Sequence, residues 1–286
     1  MTSRTLLVAF ALALLPAWSL AQPAADRIKR IKESKTVAVA HRTDAAPFSF
    51  VDDQKQPAGY SVDLCKRVVG QLEQQLGVPG LKIKWVPVST QTRFDAVAKG
   101  EADMECGAST VTLARMKLVD FSNYTFVDGT GLLARSELNA RTLADFAGKK
   151  IAVVAGTTNQ AALERALKDR LVAATQVAVK SREDGLAKLE AREVDALASD
   201  NVLLLGLGRK AKDPKALTMI DDSISFEPYA IVLPRGDTAL RIEVNTALAR
   251  IYRSQAIGDI YGTWFGSLGK PGPVLRAVYG MGAIPE

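Results

Sequence analysis

Residues 150–158 read Lys-Ile-Ala-Val-Val-Ala-Gly-Thr-Thr. An apolar run of strand length ends there in a turn that opens an apolar-periodic segment, residues 159–167. The same alternation continues with a strand at 176–179, a helix at 183–191 and a strand at 194–198, followed by Ser199 and Asp200. Strand–helix–strand alternation at this spacing predicts an α/β fold: mainly parallel sheets flanked by helices.

The pattern extends in both directions. Upstream, 36–40 is a strand. Ser61, Leu64, Cys65, Val68, Val69, Leu72 and Leu76 then form a helical stripe of period near 3.6. A strand follows at 81–86, a short helix at 90–98 stopped by Gly100, a strand at 102–106 and a short extended piece at 119–121. Residues 143–147 form a brief helix ended by Gly148. Downstream, 229–233 is extended. Residues 238–253 are amphipathic through Leu240, Val244, Ala247, Leu248 and Ile251, and 257–265 is a last helix. The tail from Gly266 is rich in Gly and Pro and reads as surface loop. Two α/β clusters joined by extended pieces near 124–129 and 226–229 predict two lobes with a hinge between them. Lobe 1 is 22–124 plus 229–286, lobe 2 is 125–228, and the final helices pack back on lobe 1.

The chain has 286 residues, 48% of them hydrophobic, enough for one large or two ordinary cores. A single His and two Cys exclude a His/Cys zinc cluster and a disulfide scaffold. Arg4, an apolar run over 6–15, Pro16 and the small residues Ser19 and Ala21 read as a secretory signal peptide over 1–21, cut after Ala21. The run is too short to span a bilayer comfortably. The net charge of +6 raises the question of nucleic acid. The densest basic cluster (Arg27, Lys29, Arg30, Lys32, Lys35) is interrupted by Glu33 and reads as a solvated helix face, so no nucleic-acid partner is expected.

In open α/β sheets, ligands bind beyond the carboxyl ends of the strands. The residues just past those ends are His41 and Arg42; Ser89, Thr90 and Arg93; Ala108, Ser109, Thr110 and Arg115; Gly156, Thr157 and Thr158; Arg182; and Ser199 with Asp200. These are hydroxyls, arginines and one acid. Arginine grips a carboxylate through two parallel hydrogen bonds. Gly-Thr-Thr before a helix is either an anion site or a plain N-cap. Asp200 either meets a ligand or caps a helix starting near Val202. His41 has no Ser, Cys or Asp partner nearby and reads as a strand-end structural residue. Cys65 and Cys106 either pair in an oxidising compartment or stay as buried thiols.

As a set, several motifs resemble the periplasmic solute-binding proteins of amino-acid ABC importers, the bacterial family-3 type, and most of all their acidic-amino-acid members. They are residues 47–50 (Pro-Phe-Ser-Phe), 59–63 (Gly-Tyr-Ser-Val-Asp), 103–115 and 120–122 (Asp-Phe-Ser), with Gly156-Thr157-Thr158 and Asp200. His41-Arg42, residues 90–93 and 105–107 add to the likeness. The resemblance implies a type II, two-lobed binding protein that closes on one amino acid, glutamate or aspartate. It implies an inner-membrane ABC permease as partner, a monomer, and neither cofactor nor metal. Carried over, Arg115 clamps the α-carboxylate with Thr110 and the turn holding Thr157 and Thr158. Asp200 takes the α-ammonium with backbone near Ala108, and Arg42, Thr90 and Arg93 hold the side-chain carboxylate. The family has Ser where Ala108 stands and, in its acidic-ligand branch, His where Arg182 stands. That branch has a disulfide whose second Cys, near Ala230, is missing here.

Four arginines (Arg42, Arg93, Arg115, Arg182) against Asp200 leave a formal surplus of positive charge, which favours a dicarboxylic amino acid. The other readings are a binding protein for another polar amino acid, and a periplasmic enzyme of the cyclohexadienyl-dehydratase kind. The enzyme needs an acid over its substrate, and Glu183 and Glu227 are the candidates.

Overall fold

The computed structural model describes residues 27–285. The expected signal peptide lies outside the described residues. Helix α1 (Arg27–Ser34) leads into β1 (Thr36–Arg42). A small antiparallel sheet of β2 (Asp44–Ala45), β3 (Ser49–Val51) and β4 (Pro57–Ala58) follows, in a stretch whose two prolines read only as loop. Next come α2 (Tyr60–Leu76), β5 (Lys82–Val88), α3 (Arg93–Ala98), β6 (Met104–Cys106) and β7 (Val119–Asp128). The chain then builds β8 (Thr130–Arg135), β9 (Lys150–Val154), α4 (Thr158–Asp169), β10 (Thr175–Val179), α5 (Arg182–Glu190), β11 (Ala196–Asp200), α6 (Asn201–Gly208) and β12 (Leu217–Ile220). It returns through β13 (Glu227–Pro234) to α7 (Thr238–Arg253), α8 (Ala256–Phe265) and α9 (Pro273–Gly282).

Two five-stranded sheets result, ordered β5-β1-β6-β13-β7 and β10-β9-β11-β8-β12. The two-lobed α/β expectation holds, with one difference: each sheet is mixed. β1 pairs parallel with β5 and β6, and β9 pairs parallel with β10 and β11. β13 is antiparallel to β6 and β7, and β8 to β11 and β12. The reason is topological. The chain leaves the first sheet along β7 and re-enters along β13, so these crossing strands run in opposite directions.

The stripe on α2 is buried as its period demands, and Gly77, in the left-handed conformation, ends the helix. It packs on a core shared with Leu240, Val244, Leu248 and Ile251 of α7. Cys65 of α2 and Cys106 of β6 form a disulfide that ties this helix to the sheet.

The expected surface tail is instead helix α9. Pro273 occupies its first turn, where a missing N–H costs nothing, and Leu275, Val278 and Tyr279 are buried. A Cβ on Gly282 would lie 2.6 Å from the Tyr252 ring, so glycine is what allows this close packing. The Tyr279 hydroxyl lies 2.7 Å from that of Tyr60. β7 is ten residues long, not the short piece read at 119–121. Its alternation is broken at Ser122-Asn123, beside register shifts against β13.

Candidate functional site

Most of the arginines and hydroxyls flagged at strand ends come together between the two sheets. Arg42 ends β1 and is 2% exposed. Its Nη2 donates to Thr90 Oγ1 (2.5 Å) and to Asp44 Oδ1 (2.5 Å). Arg93 opens α3 and is also buried. Its Nε donates to Ser109 Oγ at 3.0 Å and its Nη1 to the Thr90 carbonyl. Arg115 Nη1 donates to the Thr110 carbonyl at 2.6 Å. The guanidiniums of Arg93 and Arg115 both lie over the Phe94 ring, 4.4 and 4.7 Å from its centroid. Ala108 is half-buried against the first core.

The second lobe supplies the opposite wall. Thr157 is the N-cap of α4: its Oγ1 accepts from Gln160 N (3.2 Å) and donates to the Val154 carbonyl (2.7 Å). Its hydroxyl is therefore engaged in the plain N-cap role. Thr158 Oγ1 lies 3.4 Å from Thr110 Oγ1, across the cleft. Arg182 opens α5, and its Nη2 reaches the Asp44 carbonyl at 3.2 Å. Asp200 ends β11 at the N-cap position of α6, yet its side chain makes no capping bond. Asp128 does that work: its Oδ2 accepts from Val202 N at 3.0 Å. The Asp200 carboxylate is thus left to the cleft and to Ser199 Oγ at 3.5 Å.

Buried charges of both signs meet in the cleft. Burial pushes the basicity of Arg42, Arg93 and Arg115 down. Arg93 falls to about 9, through burial first and the Arg115 and Arg42 charges second. Burial raises the Asp200 carboxyl, and the Tyr229 hydroxyl partly offsets this. Asp128 is raised to about 7 by burial and by the Asp200 charge. The buried guanidiniums gain from an added anion, and the Asp200 carboxylate from an added cation.

The sequence missed three acids. Asp44 pairs with Arg42 and stands 3.7 Å from Arg182. Glu105 is fully buried, with neither carboxylate oxygen hydrogen-bonded; burial raises it, against the pull of Arg93. Asp128 escaped because β7 was read too short. Four arginines therefore meet Asp44, Glu105 and Glu227 as well as Asp200, and the formal surplus of three read from the sequence is cancelled. Phe94, over which two guanidiniums lie, had no signal of its own, whereas Ser109 was named by its place after a strand end. His41 sits edge-on to Trp85 at 5.7 Å, with Nδ1 3.0 Å from the Arg42 carbonyl, a packing position. Glu183 is exposed, whereas Glu227 is buried and accepts from Ser225 Oγ at 2.6 Å.

Known proteins share this architecture. The L-glutamate/L-aspartate-binding protein of Pseudomonas aeruginosa is 34% identical over 254 residues, 88% of this chain and 84% of that protein. A solved ancestral arginine-binding protein bound to glutamine superposes with a TM-score of 0.72 at 25% identity, covering 81% of this chain and 98% of that one. An ancestral amino acid-binding protein, a precursor of cyclohexadienyl dehydratase, gives 0.71 at 25% identity, with 84% and 99% covered. Residues 37–267, which carry this cleft, match the model of one family, and the chain belongs to it: the bacterial extracellular solute-binding proteins, family 3.

Proposed function

We propose that the protein captures glutamate or aspartate in the periplasm and delivers it to an inner-membrane ABC permease, acting as a monomer and not as an enzyme. The observation that carries this reading is the pairing of buried guanidiniums, Arg42, Arg93 and Arg115, with the buried Asp200 carboxylate in one cleft. An amino acid carries the complementary pair of charges, and a dicarboxylic one adds an anion for the remaining guanidiniums. Arg115 holds the α-carboxylate with Thr110 and Thr158. Asp200 takes the ammonium beside Ala108. Arg42, Thr90 and Arg93 hold the side-chain carboxylate, with Arg182 closing from the second lobe. Thr157 contributes by capping α4 rather than by touching ligand.

The lobes divide at the two crossings, giving 22–124 plus 229–286 and 125–228, and turn about them on binding. The disulfide fits an oxidising compartment, as the expected export requires. A dehydratase would need a free acid over the substrate. Glu227, whose Oε1 accepts from Ser225 while its buried Oε2 has no hydrogen-bond partner among the described residues, is the acid that reading would have to use.

The test is a thermal-shift screen of ligand-stripped protein against amino acids and small dicarboxylates. Ligand at about a thousand times its dissociation constant stabilises by ~4 kcal/mol. Shifts with glutamate or aspartate and none with glutamine are expected; shifts confined to neutral or basic amino acids contradict the reading.

A further inference from the structure

One carboxylate in the cleft is shared by both lobes. Asp44 lies in β2, two residues beyond Arg42. Its Oδ1 accepts from Arg42 Nη2 at 2.5 Å. Its Oδ2 stands 3.7 Å from Arg182 Nη2, and that same nitrogen donates to the Asp44 main-chain carbonyl at 3.2 Å. The two arginine side chains are 2% and 6% exposed, and Asp44 is 26% exposed. A carboxylate of the protein thus stands between two buried guanidiniums. Further contacts between the lobes lie beside it. A Cβ on Gly206 of α6 would meet the Ala46 carbonyl at 2.9 Å, and the Lys210 ammonium sits 5.9 Å over the Phe50 ring. These residues line an open groove of about 280 Å³ between the lobes.

We propose that Asp44 is a resident counter-carboxylate with two effects. Through Arg182 it draws the lobes together in the absence of ligand. Through Arg42 and Arg182 it competes with a ligand's side-chain carboxylate, which sets how strongly the site prefers an acidic amino acid over its amide. The proposal rests on the reading of the cleft as an amino-acid site. The two effects are separable. Glutamate and glutamine have nearly the same shape and differ by one charge. A change in the ease of closing moves both affinities together, while a change in local charge moves their ratio. Two like charges about 5 Å apart, at an effective dielectric of about 20, repel strongly enough to shift that ratio more than tenfold.

The experiment is calorimetric titration of the wild type and Asp44→Asn with glutamate and with glutamine, alongside small-angle X-ray scattering of each ligand-free protein. Asn keeps the shape and one acceptor, so the expected results are a preference for glutamate at least tenfold greater than in the wild type and a larger ligand-free radius of gyration. If Asp44→Asn does not fold, Asp44→Ser serves, with the same expectation. Arg182→Gln should also enlarge the ligand-free protein while lowering the preference for glutamate. An unchanged preference in the Asp44 variants overturns the specificity half, and an unchanged radius overturns the latch. A wild type that prefers glutamine contradicts the proposed function, yet the variant must still move the ratio toward glutamate. If the wild type binds neither ligand, the amino-acid site falls with its specificity half, and the scattering alone decides the latch.

Discussion

Arg115 carries the largest single consequence in the proposed site. Its guanidinium is held by the Thr110 carbonyl and the Phe94 ring, so it is aimed before any ligand arrives. Arg115→Met leaves a carboxylate unpaired and should weaken binding by roughly 2–5 kcal/mol, read by calorimetry. Arg93→Met should weaken glutamate and aspartate while leaving any neutral amino acid little changed; an unaltered glutamate affinity would remove Arg93 from the side-chain subsite. Asp128 predicts a pH effect. Its folded value of about 7 lies above the ordinary carboxylate range, so the folded state holds its proton more tightly than the unfolded chain. Its contribution to stability is present below about pH 4 and is lost as pH rises through about 7. Thermal melting between pH 4 and 8 should show that decline in the wild type and a flatter curve in Asp128→Asn. At this scale the sequence was partly legible. Arginines and hydroxyls after strand ends could be named because the alternation located the ends. Asp44 and Glu105 could not, because what makes them matter is a contact: Asp44 meets Arg182 138 residues away, and Glu105 sits at an alternating polar position that reads as solvent-facing yet is buried.

Elements were legible where one face is buried by a clear period. α2 and α7 show their stripes directly, and both share the first core. α9 was hidden because its Gly and Pro content reads as loop, although Pro sits where a helix tolerates it and Gly282 permits contact with Tyr252. β8 is wholly buried apart from its last residue and carries no alternation to find. The Cys65–Cys106 bridge was left open by the sequence, since pairing depends on α2 lying over β6. It closes a loop of 41 residues, for which chain entropy gives about 4 kcal/mol. Cys65→Ser with Cys106→Ser should lower the free energy of urea unfolding by about that amount, without changing ligand preference. A loss below about 1 kcal/mol would mean that core packing alone holds α2 against the sheet.

The whole molecule turns on two sheets meeting at a cleft beside two crossings of the chain. The repeated strand–helix alternation made two lobes readable from sequence, while the mixed strand directions follow from a return path that no local pattern encodes. At one crossing, a Cβ on Gly129 would lie 2.6 Å from the Ser225 carbonyl, so the outgoing and returning chains approach only because that residue is glycine. Across the cleft, Thr110 meets Thr158 and Asp44 meets Arg182. Contacts that span both lobes exist only when they are together, so a ligand that adds to them shifts the population toward the closed form. The central claim is that this cleft selects an amino acid with a second carboxylate. Its most direct test is side-by-side calorimetric titration of ligand-stripped protein with glutamate, aspartate and glutamine. The account predicts saturable one-to-one binding of glutamate or aspartate, with glutamine at least tenfold weaker. Equal or tighter binding of glutamine would contradict it.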